Sequence, residues 1–112
     1  MQLLLIVLNK VEKLDSLLEK LMESGITGAT ILSSTGMARE LAKHWEDYPI
    51  FGTLHFLINP DRKESKTIFM VLKDEQVDVV KKVVREVIGD LSKPDTAILF
   101  TLPVLSAEGV GF

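Results

Sequence analysis

The residues best suited to holding a small ligand lie in one short stretch, GITGATILSSTG, at positions 25–36. It contains Gly25, Gly28 and Gly36 together with five serines and threonines. Glycine lets a ligand approach the backbone N–H groups closely, and hydroxyls add donors and acceptors of their own. The plainer alternative is that the glycines cap a helix and form a tight turn, while the hydroxyls mark the end of a strand.

A second group with recognition chemistry is KHWEDY, at positions 43–48. It contains the only tryptophan and the only tyrosine of the chain, Trp45 and Tyr48, beside His44. Aromatic side chains on a long loop are typical of surfaces that contact another protein. The alternative is that Met37, Leu41 and Trp45, spaced four apart, form a short helix whose apolar side packs on the sheet.

Little in the sequence indicates catalysis, metal binding or nucleic-acid binding. Carboxylates lie opposite the apolar stripes of two helical segments, and no nucleophile motif accompanies the two histidines, His44 and His55. Those histidines with Glu46 or Asp47 make only a weak metal-site pattern. Cysteine is absent, which excludes disulfides and thiolate metal sites, and the net charge of -3 provides no basic surface for nucleic acid. We therefore expect no enzyme, metal site or nucleic-acid partner.

The elements that must position these residues follow from hydrophobic spacing. Apolar runs predict strands at 3–8, 29–32, 67–72 and 96–105, with 54–58 also strand-like and a polar turn at 59–66. Apolar residues at helical spacing predict helices over 10–25 and 75–88, the second with Asp74 as its N-cap. Gly25 and Gly89 stand where helix-ending glycines belong, and Pro103 predicts that the last strand is an edge or leaves the sheet there.

The element order predicts a single domain over residues 1–112. It is strand, helix, strand, a long excursion, strand, helix, strand, which is the order of an α+β, ferredoxin-like βαββαβ fold. We expect an antiparallel sheet with two helices on one face and a long excursion after the second strand.

The strands also predict self-association. Two helices cover one face of such a sheet, yet LLLIVL, TIFMVL and AILF are apolar at every position. An uncovered second face would expose on the order of several hundred Å2 of contiguous apolar surface, more than monomers usually tolerate. We expect an oligomer that buries this face. The alternative is that residues 37–53 fold back over it.

The apolar start of the chain does not resemble a signal peptide or a membrane span. The run MQLLLIVL has no basic segment before it and ends at Asn9 and Lys10, far short of the roughly 20 apolar residues of a membrane helix. We expect a cytoplasmic protein without membrane insertion.

Three features resemble the PII family of nitrogen-regulatory signal-transduction proteins. They are GITGAT between the first helix and the second strand, Gly36 at the start of the excursion, and PDTAILFTLPV at the last strand. The resemblance implies a ferredoxin-like homotrimer whose sheets face inward. It further implies clefts between subunits that bind ATP or ADP, often with another small effector. A long T-loop, here about 36–53, would contact a target protein such as a transporter or an enzyme.

The resemblance also indicates which residues meet the ligand and the target. The residues expected at the ligand are Thr30, Thr35, Gly36, Met37, Gly89, Lys93, Asp95 and Thr96. Those expected to contact the target are Arg39, His44, Trp45 and Tyr48.

Two departures from the family bear on the ligand. The stretch GDLSKPDT at 89–96 stands where the family has T-G-x-x-G-D-G-K, with Asp95 in place of its aspartate and Lys93 displaced from its lysine. Residues 105–112 contain no basic residue, whereas the family has two phosphate-binding arginines in that region. The ligand is therefore left open as an adenine nucleotide or another small anion. The alternatives are a trimeric interaction module without a ligand, or a metal-tolerance protein of the CutA-like type.

Overall fold

The computed structural model describes residues 1–42 and 64–111. These residues contain four strands, β1 Gln2–Leu8, β2 Thr30–Ser34, β3 Ser65–Leu72 and β4 Ala97–Pro103. The same described residues contain three helices, α1 Leu14–Glu23, α2 Met37–Ala42 and α3 Asp74–Ile88, and a 3-10 turn, Val11–Lys13, precedes α1. The predicted strand at 54–58 and most of the predicted turn at 59–66 lie outside the described residues.

The four strands form one antiparallel sheet in the order β2-β3-β1-β4. The two central strands are therefore β1 and β3, and the two edges are β2 and β4. The structure is α+β, as predicted, and its strand order is compatible with a ferredoxin-like fold. The prediction from Pro103 is confirmed, because β4 is an edge strand and Pro103 is its last residue.

Glycines end both long helices, as the sequence predicts. After α1, the N–H of Gly25 donates to the Met22 carbonyl at 3.0 Å and that of Ile26 to the Leu21 carbonyl at 2.9 Å. This pair of bonds is a Schellman motif, and Gly25 supplies the positive φ of 90° that it requires. Gly89 ends α3 with a φ of 97°.

Asp74 is not the N-cap of α3, contrary to the prediction. The helix begins one residue earlier than expected, so that Asp74 is its first residue and Lys73 is the N-cap. The carboxylate of Asp74 instead accepts hydrogen bonds from the amino group of Met1 at 2.9 Å and from Gln2 Nε2 at 3.1 Å. The Gln76 side chain accepts from the Lys73 N–H at 2.9 Å and so satisfies one donor at the start of the helix.

The core lies between the two long helices and one face of the sheet. In β1 the buried side chains are Leu4, Ile6 and Leu8, which alternate with half-buried ones. These pack in one cluster with Leu17 and Leu21 of α1 and with residues of β3, α3 and β4. Each fully buried leucine or valine contributes roughly 1.5–3 kcal/mol, so this cluster supplies most of the stabilisation of the fold.

The opposite face of the sheet is also apolar and is much less buried. Its exposed members on β4 include Ile98, 58% exposed, and Phe100, 43% exposed. We call this surface the open face. Its apolar members, placed by the strand pairing, are Leu3, Leu5, Val7, Leu32, Phe69, Val71, Ile98, Phe100 and Leu102. The apolar character of both faces, which the sequence predicts, is therefore found in the sheet.

The pairing of β2 with β3 is longer than predicted, since β2 extends to Ser34 and β3 begins at Ser65. Ser65 and Lys66 therefore belong to a strand and not to the turn at 59–66. Side-chain hydrogen bonds hold this end together: Ser34 Oγ lies 2.7 Å from Ser65 Oγ and 2.8 Å from Thr67 Oγ1. On the other face, Lys66 Nζ donates to Ser33 Oγ at 2.8 Å. The hydroxyls at the end of the predicted second strand thus lengthen the sheet.

Candidate functional site

A cavity of about 610 Å3 lies at one end of the sheet, beside the connection from α1 to β2. This volume is within the usual range for small-molecule sites, about 300–1,000 Å3. Three stretches of chain surround the cavity. They are residues 25–30, residues 69–73 with Gln76, and residues 109–111.

The first wall is open because the Schellman motif turns the chain sharply away from α1. Beyond Gly25 and the buried Ile26, residues 27–30 are exposed and lead into β2. A Cβ added at Gly28 would meet no atom within 4 Å, so the space beside its backbone is empty.

The second wall is a stretch of the edge of β3 that has no partner strand within residues 1–42 and 64–111. β2 begins at Thr30, opposite Phe69, whereas β3 continues to Leu72 in its pairing with β1. Residues 70–72 therefore extend beyond β2. In an antiparallel strand, alternate residues direct their N–H and C=O groups to one side, so this extension presents backbone donors and acceptors toward the cavity.

The lining favours a compact ligand with few charges. Lys73 is the only charged residue among the described residues that line the cavity. The other side chains there are apolar, hydroxyl or amide groups, such as Val71, Thr27 and Gln76. This lining can bury an apolar ring and hydrogen-bond its edge, but it brings at most one cation to a phosphate.

Of the predicted ligand residues, Thr30 lines this cavity and the others lie elsewhere. Thr35, Gly36 and Met37 follow β2 at the opposite end of the sheet, roughly 20 Å away along the chain at the rise of a strand. The Gly36 carbonyl accepts the N–H of Glu40 at 2.9 Å and so starts α2, and the Met37 side chain is 80% exposed. A Cβ at Gly36 would also meet no atom within 4 Å.

Two of the predicted ligand residues in the 89–96 loop, Lys93 and Thr96, are hydrogen-bonded to each other. Thr96 is buried, its hydroxyl donates to the Lys93 carbonyl at 2.8 Å, and its own carbonyl accepts the N–H groups of Asn9 and Lys10, each at 3.0 Å. Asp95 has a φ of 58°, in the left-handed region. The side chains of Lys93 and Asp95 are exposed, so within this loop they are the groups open to a ligand.

Asp90 is held by the same loop. Hydrogen bonds from the Ser92 hydroxyl at 2.7 Å and the Ser92 N–H at 2.9 Å lower the pKa of the Asp90 carboxyl below its ordinary value. The pKa of Asp74 is lowered in the same direction by hydrogen bonds from the amino group of Met1 and from Gln2, and by the charge of that amino group. Asp90 therefore fixes the turn of its own loop, and Asp74 links the start of α3 to the first two residues of the chain.

The two groups of predicted residues share one end of the sheet but lie at opposite edges. Thr35 to Met37 follow β2, and Gly89 to Thr96 precede β4. Three strand spacings, about 14 Å, separate those edges. One chain therefore does not bring the two groups together around a small ligand.

Arg39 is the one predicted target-binding residue within the described part of the chain, and it lies on α2. His44, Trp45 and Tyr48 are outside the described residues, as is the suggested metal ligand His55. Within residues 1–42 and 64–111, no three His, Asp or Glu side chains are grouped so as to hold a metal ion. In the same residues, no helix combines the length and apolar character needed to cross a membrane.

Sequence reasoning missed two walls of the cavity, residues 69–73 with Gln76 and residues 109–111. The apolar run TIFMVL clearly predicts a strand. The extension of that strand past the start of β2 depends on the register in which the two strands pair. Gly109 and Gly111 were a usable signal, because two glycines one residue apart allow a chain to turn back on itself. A comparison of this chain with models of known protein families finds no match, and neither does a comparison with curated proteins.

Proposed function

We propose that this protein is a small ligand-sensing signalling module of the PII-like type, a cytoplasmic homotrimer without catalytic activity. It binds a small effector, an adenine nucleotide or another small anion, in clefts between subunits. Residues 37–53 carry the signal to a target protein such as a transporter or an enzyme. The observation that carries the proposal is the cavity beside Gly28, with its empty space and with a strand edge that has no partner strand among the described residues.

The strand order supports assigning the ferredoxin-like fold to this chain. In that fold the first and third strands are central and the second and fourth are edges, and this is the order β2-β3-β1-β4. The two long helices cover one face, and among the described residues no other element covers the second face, which would serve assembly.

The open face supports the homotrimer. Its nine apolar side chains form a surface of the kind that monomers rarely leave in water. Packing three such faces inward would bury them around a common axis. Because β2 and β4 are different edges, a contact of β2 in one copy with β4 in the next is head-to-tail, and such contacts close into rings.

The same ring would form a ligand cleft at the end of the sheet opposite the cavity. Thr35, Gly36 and Met37 of one copy and the 89–96 loop of the next share that end, so a β2-to-β4 contact draws them together. Lys93 would then supply a cation to this intersubunit cleft. A phosphate or another anion is stabilised by such a cation together with backbone N–H donors.

Assembly is tested by sedimentation or light scattering. We expect three chains of 12.5 kDa each per particle at micromolar concentration. Phe100→Asp should dissociate the trimer, because it places a charge in the open face. Met22→Asp is the matched control: Met22 is 65% exposed on α1, outside that face, so this variant should remain trimeric. A monomeric wild-type protein would refute the assembly.

Ligand binding is tested by thermal shift against ATP, ADP, AMP, cyclic nucleotides, 2-oxoglutarate and bicarbonate. A ligand at a hundredfold excess over its Kd stabilises the native state by about 2.7 kcal/mol, which is a clear rise in Tm. We expect a rise with an adenine nucleotide or with one of the small anions. No rise with any of them would contradict a site for these ligands.

A trimeric interaction module without a ligand is the second candidate. The observation that favours it is the 89–96 loop, whose hydroxyl and carboxylate groups are largely satisfied within the loop itself. This candidate predicts a trimer with no thermal shift, so the two experiments together separate it from the sensor.

A further inference from the structure

The outer edge of β4 presents its backbone groups at positions that the hydrogen bonding defines. At the two ends of the β1–β4 ladder, the Asn9 N–H donates to the Thr96 carbonyl and the Val104 N–H donates to the Met1 carbonyl. In an antiparallel ladder, hydrogen-bonded pairs alternate with pairs that are not bonded. Carried through the register of β1 with β4, this alternation gives the β4 residues whose backbone groups point outward as Ala97, Leu99 and Thr101.

The same alternation, carried across the sheet, defines the outer edge of β2. The β3 residues that bond to β1 are the even-numbered ones, such as Met70, so the odd-numbered ones bond to β2. Phe69 accordingly bonds to Thr30, and the β2 residues whose backbone groups point outward are Ile31 and Ser33. Within residues 1–42 and 64–111, no strand pairs with the outer edge of β2 or of β4. Each edge can therefore add a strand from a second copy.

The β2-to-β4 ring of the proposed function, on which this inference rests, determines how the two edges meet. β2 and β4 run in opposite directions in the sheet. A ring around an axis along the strands keeps those directions from copy to copy, so the contact is antiparallel and its bonded pairs join outward-pointing residues. Two registers satisfy this for all of β2. In them, Ile31 and Ser33 lie opposite Leu99 and Ala97, or opposite Thr101 and Leu99.

In both registers the end of β4 continues past the start of β2. A third register would set Pro103 opposite Ile31, where proline has no N–H to donate. Residues 102–105 of the neighbouring copy therefore lie beside residues 25–30, which form the first wall of the cavity. The ring brings the end of β4 in one chain to the cavity of the next.

Leu105 is the side chain that a single chain leaves without apolar contact. It is 98% exposed, and it follows the last residue of β4 by two positions. Continued along either register, it lies opposite Gly25 or Thr27 of the next copy. A Cβ added at Gly25 or at Gly28 would meet no atom within 4 Å, so this wall has room for a large side chain.

We infer that residues 102–105 of each copy pack along residues 25–30 of the next, and that Leu105 of the neighbouring copy supplies a fourth, apolar wall to the cavity. The cavity is then shared by two chains and is incomplete in a monomer. Burying Leu105 there removes an exposed apolar side chain from water and adds apolar contact area for the effector.

The contact is tested by crosslinking of the full chain, which contains no cysteine of its own. A variant with both Thr27→Cys and Leu105→Cys is treated with a short bis-maleimide reagent. We expect dimers and trimers on a denaturing gel, because every junction of the ring then holds one thiol from each of two copies. The two single variants, refolded together in equal amounts, should give dimers and no trimers. A crosslink confined to one chain, or no crosslink, would overturn the inference.

Two controls check that the crosslink reports this contact. Each single variant by itself should give no crosslinked product, because a head-to-tail contact joins two different residues. The matched pair is Ser16→Cys with Leu105→Cys, since Ser16 is exposed on α1, outside the contact. Dimers from this pair as abundant as those from the first pair would mean that random collision produces them, which would also overturn the inference.

The burial of Leu105 has its own measurement, which needs no ligand. The thiol of Leu105→Cys is labelled with a maleimide in the assembled protein and in the same variant carrying Phe100→Asp, which should be monomeric. We expect labelling several-fold slower in the assembled protein, whereas Ser16→Cys should react at one rate in both backgrounds. Equal rates for Leu105→Cys in the two backgrounds would overturn the fourth wall.

A second pair of thiols separates this inference from the proposed function. Thr35→Cys with Lys93→Cys reports the β2-to-β4 contact at the opposite end of the sheet. Crosslinks between copies from that pair, with none from positions 27 and 105, would leave the ring standing and overturn the shared cavity. No crosslinks from either pair, with a monomer by light scattering, would overturn both. Crosslinks between copies from both pairs support the ring and the shared cavity together.

Discussion

The connections after α1 and after α3 occupy matching places in the two halves of the fold. They differ in whether their polar groups are left open beside a cavity or are hydrogen-bonded within the loop. Each begins with a glycine of positive φ, Gly25 at 90° and Gly89 at 97°. After α1 the chain stays open around a cavity, with empty space beside Gly28. After α3 the side chains of Asp90, Ser92 and Thr96 bond within the loop. A helix-ending glycine therefore marks a turn in both places but lines the cavity in only one.

The largest effect that we expect is loss of ligand binding in Gly28→Val. The isopropyl group fills the empty space beside the backbone, so affinity for the effector should fall at least tenfold, or about 1.4 kcal/mol. Thermal-shift titration measures this. Because no atom lies within 4 Å of the new Cβ, the Tm without ligand and the oligomeric state should match wild type. Gly36→Val should likewise weaken binding, at the intersubunit cleft at the opposite end of the sheet, and normal response in both variants would show that the site is misassigned.

The second effect is on stability and compares the two helix-ending glycines directly. Gly89 has φ 97° and ψ -148°, a region that almost only glycine occupies, so Gly89→Ala should lose about 2–3 kcal/mol of unfolding free energy. Gly25→Ala should lose about 1–2 kcal/mol, the usual cost of a left-handed residue. Urea denaturation gives both values. Gly28→Ala is the matched control and should be nearly neutral, and a loss there as large as at Gly25 would contradict the open space.

A smaller effect is expected for the hydroxyl of Thr96. Thr96→Val keeps the shape of the buried side chain but removes its hydrogen bond to the Lys93 carbonyl, so stability should fall by about 1 kcal/mol. The affinity for the effector should not change, since this hydroxyl forms its hydrogen bond within the loop. Thr30→Val is the comparison variant on the cavity wall, and it should show the reverse, weaker binding with little change in urea midpoint. Weaker binding in Thr96→Val would assign that hydroxyl to the ligand.

The smallest effect is a dependence of stability on pH from Asp90. Its folded pKa is lowered, so its contribution is present above its unfolded pKa and is lost as pH falls through the folded pKa. The difference in urea midpoint between wild type and Asp90→Asn should therefore shrink between about pH 6 and about pH 2. Ser92→Ala removes one of the two donors and should reduce this pH dependence. A difference in urea midpoint between the two proteins that grows as the pH falls would contradict this prediction.

Local signals in the sequence predicted much of the fold. Gly25 and Gly89 ended helices because their backbone angles exclude most other residues, and the apolar runs gave the strands because burial dictates that composition. Asp74 is predicted as the N-cap of α3 but is its first residue, because its carboxylate bonds to Met1 and Gln2, more than 70 positions away in the chain. Such a contact leaves no local pattern.

The candidate site was predictable only in part. Thr30 and the nearby glycines are recognisable from the local sequence, because they belong to one stretch rich in glycine and hydroxyl residues. The strand-edge wall at Met70 to Leu72 follows from a difference in length between β2 and β3, and the wall at Val110 follows from the path of the segment after β4. Both depend on tertiary register, which the spacing of apolar residues in one segment does not determine.

The most direct test of the proposed sensor is a titration of the isotope-labelled full chain with ATP, followed by amide chemical shifts. The account predicts saturable shifts at 25–30 and 70–73, which are two of the walls of the cavity. Shifts that leave 25–30 and 70–73 unchanged at saturating ATP, or no shifts at all, would contradict an ATP-binding cleft built on this cavity.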